Sequence, residues 1–325
     1  MMASVHRSVR ASAVLSVLLL AGAASGAGVG YGVSAAGTLF SFNLDAPLGS
    51  VSSIGNVGFV PEGLDFRPGT STLYAVDVGP TTTQVYTIDI NTGAATPVGA
   101  GFATAPAAGG YNLGGAQTFG FDFNPTTLQV DNSMRIRLIS SGGSNLRLNS
   151  STGGVAGIDA ALSFFGGGDA PQADAAAYIN SASATQGGTT TLFVMDPSTD
   201  SLYTQNPPNG GVLNLVGPFG VTINAQASIS FDILTDPSSV DTGIGGDSGF
   251  AVYRRADAPI GNPGAWVLYN VNLGTGSTTG GTLVGSQDLP ADFTGGFAVL
   301  IPAPGLAGVG AMSGLAALAG LRRRR

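Results

Sequence analysis

The sequence contains no cysteine and no lysine, and its single histidine, His6, lies close to the start of the chain. Without cysteine there are no disulfides, no thiolate nucleophile and no Cys-ligated metal. Past the first 27 residues there is no imidazole for a Ser-His-Asp triad, a zinc site or a pH switch. Glutamate is almost as scarce: Glu62 is the only one among nineteen acids. Charged residues make up 10% of the 325, against about 25% in ordinary globular domains. What is present is apolar and small. Hydrophobic residues reach 43%, enough for a packed core, and 52 glycines and 18 prolines punctuate them.

The two ends read as transport signals. Residues 1–10 hold His6, Arg7 and Arg10 and no acid, residues 11–24 (ASAVLSVLLLAGAA) are apolar, and Ser25, Gly26 and Ala27 are small. Basic start, short apolar middle and small-residue exit are the parts of a secretory signal peptide, which predicts cleavage near residue 27. At the other end Pro302, Ala303, Pro304 and Gly305 lead into sixteen uncharged residues, 306–321, and then Arg322, Arg323, Arg324 and Arg325. As a helix that run covers roughly 24 Å, a little short of the ~30 Å hydrocarbon core. Four arginines would hold its far end in the cytoplasm. The expected organisation is therefore a signal peptide at 1–27, one domain at 28–300 and a C-terminal signal at 301–325.

Between the ends, six arginines face all nineteen acids, a net charge near −13. Such a surface repels nucleic acid and anionic lipid. No helical periodicity is visible there. Short runs rich in Val, Ile, Thr, Phe and Tyr alternate with Gly, Asn-Thr-Gly and Pro turns, the pattern of an all-β chain. The runs repeat. Residues 63–68 (GLDFRP) are matched by 120–125 (GFDFNP) and 230–233 (SFDI), and residues 85–93 (VYTIDINTG) by 146–153, 192–200 and 268–276. A further strand often ends in Val-Gly, as at Val98-Gly99 and Val284-Gly285. Asp65 and Asp122 are 57 residues apart and Asp122 and Asp232 are 110 apart, which sets a unit near 55 and places an unmarked copy at 175–180 (AAAYIN). Five four-stranded units fit the domain. The early strands in 293–300 (FTGGFAVL) complement the later strand in 39–45, so N- and C-terminal strands would close one blade of a β-propeller. A β-sandwich-like repeat array is the alternative.

Two resemblances follow from these residues. Residues 63–68, 73–76, 85–99, 119–125, 144–149 and 205–217 resemble the bacterial family called domain of unknown function 4394, over roughly 38–235. That resemblance implies an exported propeller and no particular activity; residues 236–263 fit it poorly and read as an insertion. The tail resembles a PEP-CTERM sorting signal, with Pro302-Ala303-Pro304-Gly305 standing where that signal usually shows Pro-Glu-Pro. It implies transient membrane anchoring by the C-terminal helix and processing by an exosortase-like protease after passage through the secretion machinery.

Candidate chemistry rests on carboxylates. Asp65, Asp122 and Asp232 sit between apolar neighbours, so each side chain faces away from its flanking residues. Either each makes one structural hydrogen bond per blade, or together they ring a channel able to hold a cation or a sugar. Glu62 paired with one of them could act as acid and base on a glycoside. Asp236, Asp241 and Asp247 lie in a Gly- and Ser-rich stretch suited to oxygen-only Ca²⁺ ligation or to plain solvation. Asp89, Asn91 and Gly93 read as a turn cap, because residue 100, where a calcium loop needs its bidentate Glu, is Ala. Arg67 and Arg147 are expected to pair with blade aspartates, or to meet an anion. Trp266 and Tyr269 should face opposite sides of one strand, one in the core and one at the rim. Residues 206–210 (NPPNG) read as a rigid turn. The function these features imply is an exported cell-envelope or matrix module, non-enzymatic, binding a glycan or a protein and needing no cofactor apart from a candidate Ca²⁺. The alternative is a carbohydrate-active hydrolase using Glu62 and channel aspartates.

Overall fold

The computed structural model describes residues 28–107, 109–185, 187–223, 229–237, 243–253, 266–283 and 293–300. The predicted signal peptide, the C-terminal signal with its apolar helix, and Asp241 lie outside them. Among the described residues no helix is long and apolar enough to cross a membrane.

The domain is all-β: five small antiparallel sheets form a five-bladed propeller. The first blade holds β1 (Val29–Ser34), β2 (Thr38–Asn43) and β3 (Ser52–Asn56). The second holds β4 (Gly63–Phe66), β5 (Leu73–Val78), β6 (Thr82–Ile88) and β7 (Ala95–Ala103). The third holds β8 (Phe119–Phe123), β9 (Arg135–Ser140), β10 (Asn145–Asn149) and β11 (Val155–Ile158). In the fourth, β12 (Ser163–Phe164) lies parallel to the outer strand, beyond β13 (Ala175–Tyr178), β14 (Leu192–Asp196), β15 (Ser201–Gln205) and β16 (Val212–Pro218). The fifth holds β17 (Ser230–Thr235), β18 (Asp247–Tyr253), β19 (Val267–Val271) and β20 (Thr278–Leu283). The last strand, β21 (Phe293–Leu300), returns to the first blade and pairs with β1, opposing Leu300 to Val29.

Strands β4, β8, β13, β17 and β21 touch in a closed ring and form the hub. Each hub strand has a neighbouring blade on either side, so its residues are buried on both faces: GLDF, FGFDF and AAAY are buried throughout. That two-sided burial erases the usual in–out alternation. The apolar core is likewise split into five layers, one between each pair of adjacent blades. Between the second and third blades, for example, Val76 and Val85 meet Phe121, Phe123 and Leu138. Each such side chain contributes about 1.5–3 kcal/mol on full burial. Trp266 and Tyr269 do project to opposite sides, into the layers before the first blade and after the fourth, but both are buried, so neither is the predicted rim aromatic. The turn at Asp89 is as expected: its Oδ1 accepts from the Asn91 N–H at 2.8 Å, and Gly93 has φ 77°.

Candidate functional site

The hub places one residue of each blade at an equivalent level, and three of the five are aspartates. Asp65 Oδ2 accepts from the Phe123 N–H of the next blade at 2.6 Å, Asp122 Oδ1 from the Tyr178 N–H at 3.1 Å, and Asp232 Oδ2 from the Val299 N–H at 2.7 Å. The residues preceding Tyr178 and Val299, Ala177 and Ala298, hold the remaining two positions. Their following blades get no carboxylate from them. There the aspartate bonds its own successor's N–H instead: Ile233 N–H donates to Asp232 Oδ1 at 2.6 Å, and Phe66 N–H bonds Asp65. Both expectations for these residues meet here, because each aspartate makes the repeated inter-blade bond and the three converge. One oxygen from each lies within 4.8 Å of the others, and all three residues are buried. An all-oxygen set of this kind suits a hard divalent cation rather than zinc or copper.

Burial is the main reason their titration is displaced. Desolvation, then the charge of Asp232, pushes Asp65 well above the ordinary carboxyl range; Asp122 is raised by desolvation and by both other aspartates. Asp232 is pushed up to about 7 by burial, its two backbone donors opposing the shift. Like charges this close and this dry cannot all ionise together.

A cavity of about 250 Å³ opens on the propeller axis above Asp65 and Asp232. Its wall carries Arg67, Thr70, Ser71 and Ser181, which follow the ends of their hub strands, and Leu300, the last residue of β21. Arg67 is steered to this rim by Asn132, whose backbone and side-chain oxygens accept from Nη2 at 2.8 and 3.0 Å. Among the described residues it pairs with Asn132 and with no aspartate, where the sequence suggested a blade aspartate.

Glu62 is not brought to the three aspartates. It precedes β4, three residues from Asp65, which is about 10 Å along an extended strand and on the opposite side of it. Its Oε2 accepts from the Val78 N–H at 2.8 Å, and its carboxyl is pushed up to about 7 by burial, with Asp77 adding repulsion. Asp174, just before β13, is also pushed up to about 7 by burial while accepting from Thr118 Oγ1. Asp247 belongs to β18, where its Oδ1 accepts from Thr235 Oγ1 at 2.5 Å and Asn180 N–H at 3.2 Å; the Asp236 N–H donates to Gly246 O.

Arg147 does pair with a carboxylate, through Nε and Nη2 to both oxygens of Asp159 at 2.9 and 2.8 Å. The same Asp159 binds Arg137 at 2.7 Å. Arg137 is 2% exposed and also donates to Asn145, Asn209 and Tyr178, tying the third blade to the fourth. Sequence reading missed this network. The signal was a charge, Arg137, set inside the otherwise apolar run IRLI.

The arrangement defines a five-bladed propeller whose axis is closed by a buried acidic ring beneath one open cavity. The chain belongs to the family described as Domain of unknown function (DUF4394), whose model matches residues 38–293. That match runs through residues 236–263. Among solved structures it is similar to a protein of Bacteroides uniformis provisionally assigned as a 6-phosphogluconolactonase, at 13% identity and TM-score 0.37, covering 78% of this chain and 81% of that one. It is also similar to a protein from Lactobacillus plantarum at 11% identity and TM-score 0.39, covering 85% and 99%. Likeness at this level says nothing of this chain's chemistry. No curated protein matches the chain.

Proposed function

We propose that the protein is an exported envelope or matrix module that binds, without turning over, a small polyhydroxylated ligand such as a glycan end in the axial cavity. The observation that carries this reading is the cavity itself: about 250 Å³, polar-walled, with hydroxyls and Arg67 above two buried carboxyls. Hydroxyls of a sugar both donate to carboxyl oxygens and accept from a guanidinium, and a pocket of this size takes about one ring. Export rests on the N-terminal signal, and surface sorting on the Pro-containing motif, apolar run and Arg322–Arg325 cluster. The hydrolase alternative is weakened because Glu62 faces away from the aspartates it was to work with.

The test is a glycan array probed with the protein and with Arg67→Ala, beside a broad glycosidase screen. Binding weakened about tenfold by Arg67→Ala, with no turnover, is expected; turnover lost in Glu62→Gln would reinstate the hydrolase. Cell fractionation of a chain lacking residues 306–325 checks the sorting arm, and an unchanged distribution would remove it.

A further inference from the structure

We propose that Asn132, a residue of the third blade outside the cavity wall, sets the specificity of the axial cavity. By engaging Nη2 of Arg67 it denies that guanidinium its two-pronged grip on anions, so the cavity selects a neutral glycan end over a uronate or phosphate end. The inference rests on the reading of the cavity as a glycan site.

Among the described lining residues Arg67 is the one cation, and none comes from the third blade. What that blade contributes instead is the loop between β8 and β9, which reaches across to Arg67. Its tip is a tight turn. The Gln129 N–H donates to Ser133 O at 2.8 Å, the Asn132 N–H donates to Gln129 O at 3.0 Å, and Asp131 Oδ1 accepts from the Ser133 N–H and Oγ. Asn132 sits there at φ 61°, in the left-handed region that Asn tolerates better than most side chains. The base of the loop is pinned to the fourth blade, with the Leu128 N–H donating to Thr185 O and the Thr185 N–H to Pro125 O. The acceptors for Arg67 are therefore in place before any ligand arrives.

A guanidinium binds carboxylate or phosphate best through a fork, two parallel N–H donors on one edge. It has two such edges, Nε with Nη2 and Nη1 with Nη2, and Nη2 belongs to both. Here the two hydrogens of Nη2 meet two acceptors, the backbone and side-chain oxygens of Asn132 at 2.8 and 3.0 Å. Among the described residues the Arg67 side chain makes no further hydrogen bond, so Nε and Nη1 remain as separate single donors. Single donors suit hydroxyl and ring oxygens, which need no parallel pair, and deny an anion its fork. The domain's six arginines against nineteen acids add a general repulsion of anions. An arginine at a pocket rim ordinarily anchors an anion; the Asn132 contact reverses that expectation.

The experiment is an array of matched glycan ends, hexose beside the corresponding hexuronate and hexose phosphate, probed with the full chain, Asn132→Gly and Asn132→Asp. Glycine keeps the left-handed backbone and its carbonyl but removes the side-chain acceptor; aspartate keeps both acceptors. The wild type is expected to favour the neutral end by about tenfold. Asn132→Gly should lose most of that preference and Asn132→Asp should keep it, whereas a loop that matters only for folding would leave the ratio alone. A wild type that favours the charged ends, or an Asn132→Gly preference equal to wild type, overturns the proposal. If the wild type retains no glycan of either kind, the glycan reading fails, and the grip itself is decided by phenylglyoxal, which condenses with a free Nη1–Nη2 pair. Arg67 modification is followed by peptide mass spectrometry, with Arg147 as the internal reference. A rate several-fold faster in Asn132→Gly than in the wild type, and unchanged in Asn132→Asp, supports the grip; equal rates in the wild type and Asn132→Gly overturn it.

Discussion

Asp159 is the residue on which two arginines depend. Arg137 is 2% exposed and Arg147 34%, and the Asp159 carboxylate, 5% exposed, serves both. Asp159→Ala would strand a buried guanidinium, which costs about 3–5 kcal/mol, whereas removing a partly exposed partner of the pair costs about 1 kcal/mol or less. Urea denaturation should show that order, Asp159→Ala well above Arg147→Ala; equal losses would mean that Arg137 draws its compensation from Asn145, Asn209 and Tyr178. Side chains like these are where the sequence was hardest to read. The three hub aspartates announced themselves by their repeated apolar flanks, and their convergence was among the readings. Arg137 and Asn209 stand 72 positions apart with no shared motif. Glu62 failed in a different way: it is near Asp65 in sequence, but odd spacing on a strand turns it to the other side.

The strands explain why two glycine-bearing words recur. In the second blade the Asn91-Thr92-Gly93 turn rests on Gly55 of β3 in the first blade, where an added Cβ would lie 1.9 Å from Thr92 O. The turn at Thr152-Gly153 meets Gly99 of β7 in the same way, at 2.0 Å from Thr152 O, and the turn at Thr275-Gly276 meets Gly217 of β16, at 2.2 Å from Thr275 O. Backbone thus packs directly on backbone between successive blades, which only glycine permits, and this is why Val-Gly and Thr-Gly were visible as repeats. At the junction of the third and fourth blades residues 206–210 replace the Thr-Gly turn, and Gly211 instead approaches the Ala160 and Ala161 carbonyls. Gly217 lies outside the left-handed region, so Gly217→Ala tests the contact alone. It should cost about 1–3 kcal/mol through overpacking. Gly154→Ala, where a Cβ meets nothing nearer than 3.7 Å, should be neutral or slightly stabilising. Matching urea midpoints for the two variants would show that the blades do not bear on each other there.

At the scale of the whole molecule the dominant fact is closure. Spacing near 55 residues and complementary ends were enough to read five blades and one shared between the termini. The cavity was not legible, because it is made by residues at and just beyond the ends of four different hub strands. Closure depends on β21 pairing with β1, Leu300 against Val29 and Phe297 against Gly32, and on the Val299 N–H that Asp232 receives. The two ends of the domain therefore meet, and a short Gly-Ser linker can join residue 300 to residue 28. New ends can be opened between Gly167 and Gly168, both exposed and with nothing within 4 Å of an added Cβ. Exposed loop tips of small residues tolerate such cuts, and closing a short linker adds little entropy cost. The permuted domain should melt in one cooperative transition within a few degrees of the 28–300 parent, while a parent lacking residues 293–300 should show none, having lost the innermost strand of one blade and, with it, Ala298 from one core layer and Phe297 and Val299 from another. A truncated parent that still melts cooperatively would show that four blades and an open edge suffice, and that β21 is an accessory to the ring and not its clasp.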